Sequence, residues 1–99
     1  MRRITVEPEQ LELIAGRMEE ENDIYVRQYQ QLFELVDVMS VSWQGSDSTA
    51  FATQVSEYQD DCRQLSFLCS LYIDFLRNSA RAYRDVQDEL TSEAMRLAN

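Results

Sequence analysis

Apolar residues recur along this chain at the three-and-four spacing of one helical face, in two long runs separated by one short break. In the first run Leu11, Met18, Tyr25, Leu32 and Met39 fall at intervals of seven, and a row four residues on holds Ala15, Asn22, Tyr29, Val36 and Trp43. Ile14, Phe33 and Leu35 lie beside these rows, and charge occupies most of the opposite side. An amphipathic helix collects positions of this period onto one face. Pro8 suits its first position, where the missing N–H would have no partner, and Glu7, Glu9 and Glu12 set negative charge near the positive end of the helix dipole. The pattern predicts helix 1 over about residues 8–41, after a short extended arm over residues 1–6. Gly16 within it should cost roughly 1 kcal/mol relative to alanine unless a closely approaching helix uses the space.

The periodicity stops after Val41. Ser42-Trp43-Gln44-Gly45-Ser46-Asp47-Ser48 holds one of the chain's 2 glycines, suited to a left-handed C-terminal cap, followed by three residues able to cap the next helix. This places a turn over about 42–46 and helix 2 over about 47–97. In helix 2 the row Phe51, Val55, Tyr58, Cys62, Leu65, Cys69, Tyr72, Leu76, Ser79, Tyr83, Val86, Leu90, Glu93 and Leu97 alternates steps of four and three, interrupted by polar groups only at Ser79 and Glu93. That is a coiled-coil-like seam.

Leu65, Phe67, Leu68, Leu71, Tyr72, Ile73 and Phe75 make the middle of helix 2 apolar most of the way round. One neighbouring helix covers a single side, and soluble monomers rarely leave the other bare. The expected fold is therefore all-α: an antiparallel two-helix hairpin, one domain over 1–99, dimerising into an elongated four-helix bundle. Leu65, Phe67, Leu68, Leu71, Tyr72 and Phe75 form the expected interface. Helix 1 would be roughly 50 Å long and helix 2 roughly 75 Å, at about 1.5 Å per residue. Folding at Gln44-Gly45 sets residue i opposite about residue 89 − i, so Leu11 faces the region of Asn78. Beyond about Ala82, helix 2 has no partner in its own hairpin, yet its apolar row continues.

Composition narrows the function classes. The chain has 9 basic residues against 18 acidic ones, a net charge of −9, and all the basic residues are arginine. So acidic a chain, lacking a basic patch, is a poor binder of nucleic acid or anionic membrane. Histidine and lysine are absent, which removes the commonest general base, the imidazole ligand and the Schiff-base nucleophile. No enzymatic activity and no cofactor are expected. Asp60-Asp61 and Glu19-Glu20-Glu21 are read as solvated faces rather than metal sites, because adjacent acids on a helix diverge. Cys62 and Cys69 lie about 10 Å apart along a helix, beyond a disulfide's reach. They are small core residues, unless a second chain supplies a partner thiol. Leu65–Leu76 is far shorter than the ~20 residues of a membrane span. Met1-Arg2-Arg3-Ile4-Thr5-Val6-Glu7-Pro8 has no apolar stretch of a cleavable signal peptide behind its charges.

About 100 residues, two helices, and Trp43-x-Gly45 at the central break resemble the WXG100 (ESAT-6-like) family of type VII secretion substrates and adaptors. The resemblance implies a non-catalytic hairpin, dimerised with itself or with another WXG100-like chain, recognised by the secretion ATPase and exported without a cleaved signal peptide. It assigns Trp43 and Gly45 to the turn and export motif, although each also has a purely structural role there. The family's second signal, Tyr-x-x-x-Asp/Glu after helix 2, is degenerate: Tyr83, Gln87, Leu90 and Ala94 keep the apolar spacing and replace the acid by an amide. Either Gln87 is tolerated, or the acid comes from a partner subunit and this chain supplies the Trp-x-Gly half. A larger helical toxin is a further partner the resemblance allows. The alternative is a cytoplasmic helical-bundle scaffold or adaptor for a larger helical partner, never exported.

Overall fold

A computed structural model describes residues 7–43 and 46–98, without the side chains of residues 46 and 47. The expected arm over 1–6, Gln44-Gly45 and the candidate caps at Ser46 and Asp47 thus lie outside the described residues or side chains. Within the described residues the chain forms two helices, α1 (Pro8–Ser40) and α2 (Ser46–Ala98), and no strand. At the start of α1 the Glu7 carbonyl accepts from the Gln10 and Leu11 amides, and Pro8 is fully buried as the first helical residue. At its end the Ser40 hydroxyl donates to the Asp37 carbonyl and the Ser42 hydroxyl to that of Met39. Two of the carbonyls a helix terminus leaves open are thereby used, in a last turn without a basic residue.

The helices pack in two compact units, Met1–Glu19 with Leu71–Asn99, and Glu20–Ser70. In the first, Ala15, Ile73, Leu76 and Ala80 are buried, and both alanines have no exposed surface at all. Methyl side chains there let the backbones come close, so that Ile73 and Leu76 supply most of the apolar volume. In the second, Phe33 is the buried side chain. Tyr25, Tyr29 and Phe33, four residues apart, form a ladder of edge contacts with ring centroids 5.3 and 6.3 Å apart. Below it the Asn22 side-chain amide donates to the Ser66 carbonyl at 3.3 Å.

Burial corrects both seams. In α1 the inward row is Leu11, Ala15, Met18, Asn22, Tyr25, Tyr29, Phe33, Val36 and Ser40, whereas Leu32 and Met39 are exposed. A strict seven-residue repeat assumes about 3.5 residues per turn; an α-helix has about 3.6, and the successive four-residue steps through the aromatic ladder absorb the drift. In α2 the row turned inward is Val55, Gln59, Cys62, Ser66, Cys69, Ile73, Leu76 and Ala80. It shares Val55, Cys62, Cys69 and Leu76 with the expected seam but replaces Tyr58, Leu65, Tyr72 and Ser79 by the next residue in each case. Ile73, expected beside the seam, is thus at its centre, and Leu65 and Tyr72 face solvent.

Ion pairs fix the antiparallel register of the first unit. Glu12 pairs with Arg84 and Glu19 with Arg77, so the residue numbers sum to 96 in each case. The sum lies above the expected 89, in the direction given by side chains that lean toward the N-terminus of their own helix. That reach also lets Arg84 bind α1 slightly beyond Ala82, the expected limit of pairing. After Arg84, every described residue is exposed.

Candidate interaction surfaces

The three surfaces singled out by sequence differ in how far the helices commit them. At the bend, Trp43 is half-buried, with its ring edge-on to Phe51 at 4.7 Å and 83°. The indole therefore ties the end of α1 to the start of α2, a structural task that leaves part of its surface accessible. Gly45 lies outside the described residues.

The second surface is the outer side of α2, where all six expected interface residues are exposed, from 49% at Leu71 to 63% at Phe67. Tyr58, Leu65, Tyr72 and Phe75 each precede an inward residue by one position, as Leu32 and Met39 do on α1. Antiparallel helices turn in opposite senses when viewed from one end, so an equal offset puts both exposed rows on the same side of a packed pair. In the Glu20–Ser70 unit this side carries Leu32, Met39, Tyr58 and Leu65. The rows that follow the inward one lie on the opposite side, which in the other unit holds Glu12, Glu19 and Arg77. Each unit therefore has an apolar side and a polar side. Phe67 follows Ser66 and stands on the polar side, while Leu71 points away from the seam. The α1 half of the apolar side was hidden from the sequence reading by the strict heptad, which placed Leu32 and Met39 inside; counting at 3.6 residues per turn would have turned them out.

The polar side is electrostatically organised. Both terminal nitrogens of Arg84 reach the Glu12 carboxylate, Nη2 to Oε2 at 2.9 Å, with Glu9 at 4.0 Å. The Arg84 hydrogen bond holds the Glu12 carboxyl below the ordinary carboxylate range. The Arg77 guanidinium, hydrogen-bonded to Glu19 at 2.5 Å, is raised in turn.

Beyond Arg84 lies the third surface, with Tyr83 at its edge. Tyr83, Val86, Leu90 and Leu97 are exposed apolar groups of one helix, and Gln87 and Ala94 are exposed beside them. The Gln87 carbonyl accepts from the Thr91 hydroxyl at 2.9 Å, and its side-chain amide makes no hydrogen bond among the described residues.

Cys62 and Cys69 are free thiols in the inward row of α2. Hydrogen bonding with Cys62, together with partial burial, pushes the Tyr25 phenol up to about 12. Among the described residues no cluster of acids and cysteines has the arrangement of a metal site, and no helix is long and apolar enough to cross a membrane.

Comparison with solved structures gives the same two-helix fold. Secreted EsxB of Bacillus anthracis str. Sterne superposes with a TM-score of 0.74 at 21% identity, covering 88% of this chain and 99% of that one. EsxA of Geobacillus thermodenitrificans gives 0.75 at 23%, covering 91% and 98%. No curated protein sequence matches the chain. The model of the WXG100 family, described as proteins of 100 residues with WXG, matches residues 3–89, a span that takes in α1, α2 as far as Glu89 and the Trp43-x-Gly45 motif between them. The chain belongs to the WXG100 family, non-enzymatic helical proteins associated with type VII secretion.

Proposed function

We propose that this protein is exported by a type VII secretion system, or is an export partner within one, and acts by dimerising and presenting its bend and the end of α2 to the secretion ATPase. The observation that carries this reading is the apolar row on α2 beyond Arg84. Tyr83, Val86, Leu90 and Leu97 keep helical spacing where α1 no longer covers them, and a helix with nothing to bind has no use for such a row. The exposed Leu65, Leu68, Tyr72 and Phe75 serve dimerisation with the same or another WXG100-like chain; Leu71 points outward beside them, and Phe67 stands on the opposite side. The dimer is a four-helix bundle, and the protein leaves the cytoplasm without a cleaved signal peptide.

Gln87 favours the partner role over autonomous export. An amide cannot offer the negative charge of the family's acid, so the second half of the signal falls to another subunit, either a related hairpin or a larger helical toxin. Deleting residues 83–99 and assaying the culture supernatant tests the role of the tail: undiminished export would exclude it. Gln87→Glu should increase export of the chain expressed alone; no change would leave the acid without a role here. Trp43→Phe, which retains an aromatic edge contact with Phe51, separates recognition from folding by losing export while keeping its thermal midpoint.

A further inference from the structure

Toward its end, the back of α1 carries a groove that the hairpin itself does not use. We propose that this groove, lined by Gln31, Glu34, Leu35 and Val38, takes an arginine- or lysine-rich amphipathic helix of another protein. The groove belongs to α1 alone and includes none of the α2 residues assigned above to dimerisation, so the inference rests on neither that pairing nor export.

Leu35 and Val38 each follow an inward residue, Phe33 and Val36, by two positions, about 200° round an α-helix of about 3.6 residues per turn. They therefore turn away from α2, and they are 61% and 72% exposed. The same offset from Asn22, Tyr25 and Tyr29 gives Ile24, Arg27 and Gln31, so within the Glu20–Ser70 unit this row of α1 holds consecutive apolar groups only at Leu35 and Val38. A single exposed leucine needs no explanation, whereas neighbouring apolar groups beside a groove form a patch that another chain can cover. Gln31 and Glu34 complete the border of that groove, which is shallow and measures about 400 Å³. Because it is open to solvent, it suits side chains of a helix laid across it better than a small ligand, which binds where most of its surface is buried.

Charge selects the partner. From Gln28 to Cys62 the acids are Glu34, Asp37, Asp47, Glu57, Asp60 and Asp61, and there is no basic residue. Glu34 and Asp37 are in no ion pair among the described residues. A guanidinium or ammonium can pair with the Glu34 carboxylate while its methylene stem lies on Leu35 and Val38. Gln31 offers an amide oxygen beside them. Nucleic acid and anionic membrane are repelled by the same acids. A second copy is poorly suited, since Arg63, Arg77 and Arg84 already pair with acids of their own chain.

The test is fluorescence anisotropy of the full chain with a labelled amphipathic helix of leucine, alanine and arginine, set against a scrambled peptide of the same composition without an apolar face. The helical peptide should bind more tightly than the scrambled one. Leu35→Asn with Val38→Asn should weaken it by at least about tenfold, with helix content by circular dichroism unchanged. Glu34→Arg should weaken the same peptide and favour a version carrying glutamate in place of arginine, a reversal that loss of folding cannot produce. Equal binding of the scrambled peptide, or indifference to the double substitution, overturns the proposal. So does a double variant that loses self-association in sedimentation equilibrium, which would give the groove to a second copy. Loss of cosedimentation with phosphatidylglycerol vesicles in that variant would overturn it equally, by giving the groove to a membrane.

Discussion

Arg84 of α2 binds Glu12 of α1 through both ends of its guanidinium, and it is the last half-buried residue among those described in α2. One ion pair thus marks where the paired length of α2 gives way to its free length. The pair lies at the surface, where solvent screens it, so this contact sets register and limits fraying more than it adds stability.

Acid should loosen that end first. The folded pKa of Glu12 lies below its ordinary value of 4.5, so its contribution is complete above that value and is lost as pH falls through the lowered one. The thermal midpoint should decline on acidification below the ordinary carboxylate range, and Glu12→Gln should flatten that decline. A titration followed by circular dichroism would show an unchanged slope if Arg84 and Glu12 were not coupled.

Alkali acts on the other unit. With its pKa raised to about 12, Tyr25 contributes stability below the ordinary tyrosine value of 10.0 that is lost as pH rises through the raised one. Ultraviolet titration should find Tyr25 ionising above the ordinary tyrosine value of 10.0, and Cys62→Ala should bring it back toward that value.

The two sides of α2 should respond differently to truncation. Ile73 and Leu76 are 4% and 7% exposed, so alanine at either should cost about 2–5 kcal/mol, read as a lower urea midpoint at any protein concentration. Leu68→Ala should matter only where chains associate, because a partner's stabilisation depends on concentration. Equal effects for Ile73 and Leu68 in dilute solution would contradict the inward row described here.

Gly16 has no neighbour near the place a Cβ would occupy, with nothing within 4 Å. The closely approaching helix that could have justified a glycine is therefore absent from the described chain. Gly16→Ala should raise stability by about 1 kcal/mol, measured as a higher denaturant midpoint; a loss would mean that a second chain uses the gap.

Much of this was legible before any coordinates. Pro8 marked the start of α1 because a missing N–H acts locally, through backbone geometry, and the periodicity that stops after Val41 ends within one residue of α1. Trp43-x-Gly45 identified the family because it coincided with that break. The facing of α2 was less legible, since Tyr58, Leu65 and Tyr72 are as apolar as anything in the row that packs inward. Two neighbouring faces shared Val55, Cys62, Cys69 and Leu76, and spacing could not rank them.

The sequence by itself determined two amphipathic helices, where they break, and that more apolar surface exists than one hairpin can cover, because these follow from periodicity and backbone preference along the chain. Only the tertiary structure decided which face is spent inside. Small residues at Ala15 and Ala80 let the backbones approach in one unit, where Ile73 is buried with them, and in the other Asn22 found the Ser66 carbonyl. The larger groups Leu65, Leu68, Tyr72 and Phe75 were thereby left outside, available to a second chain.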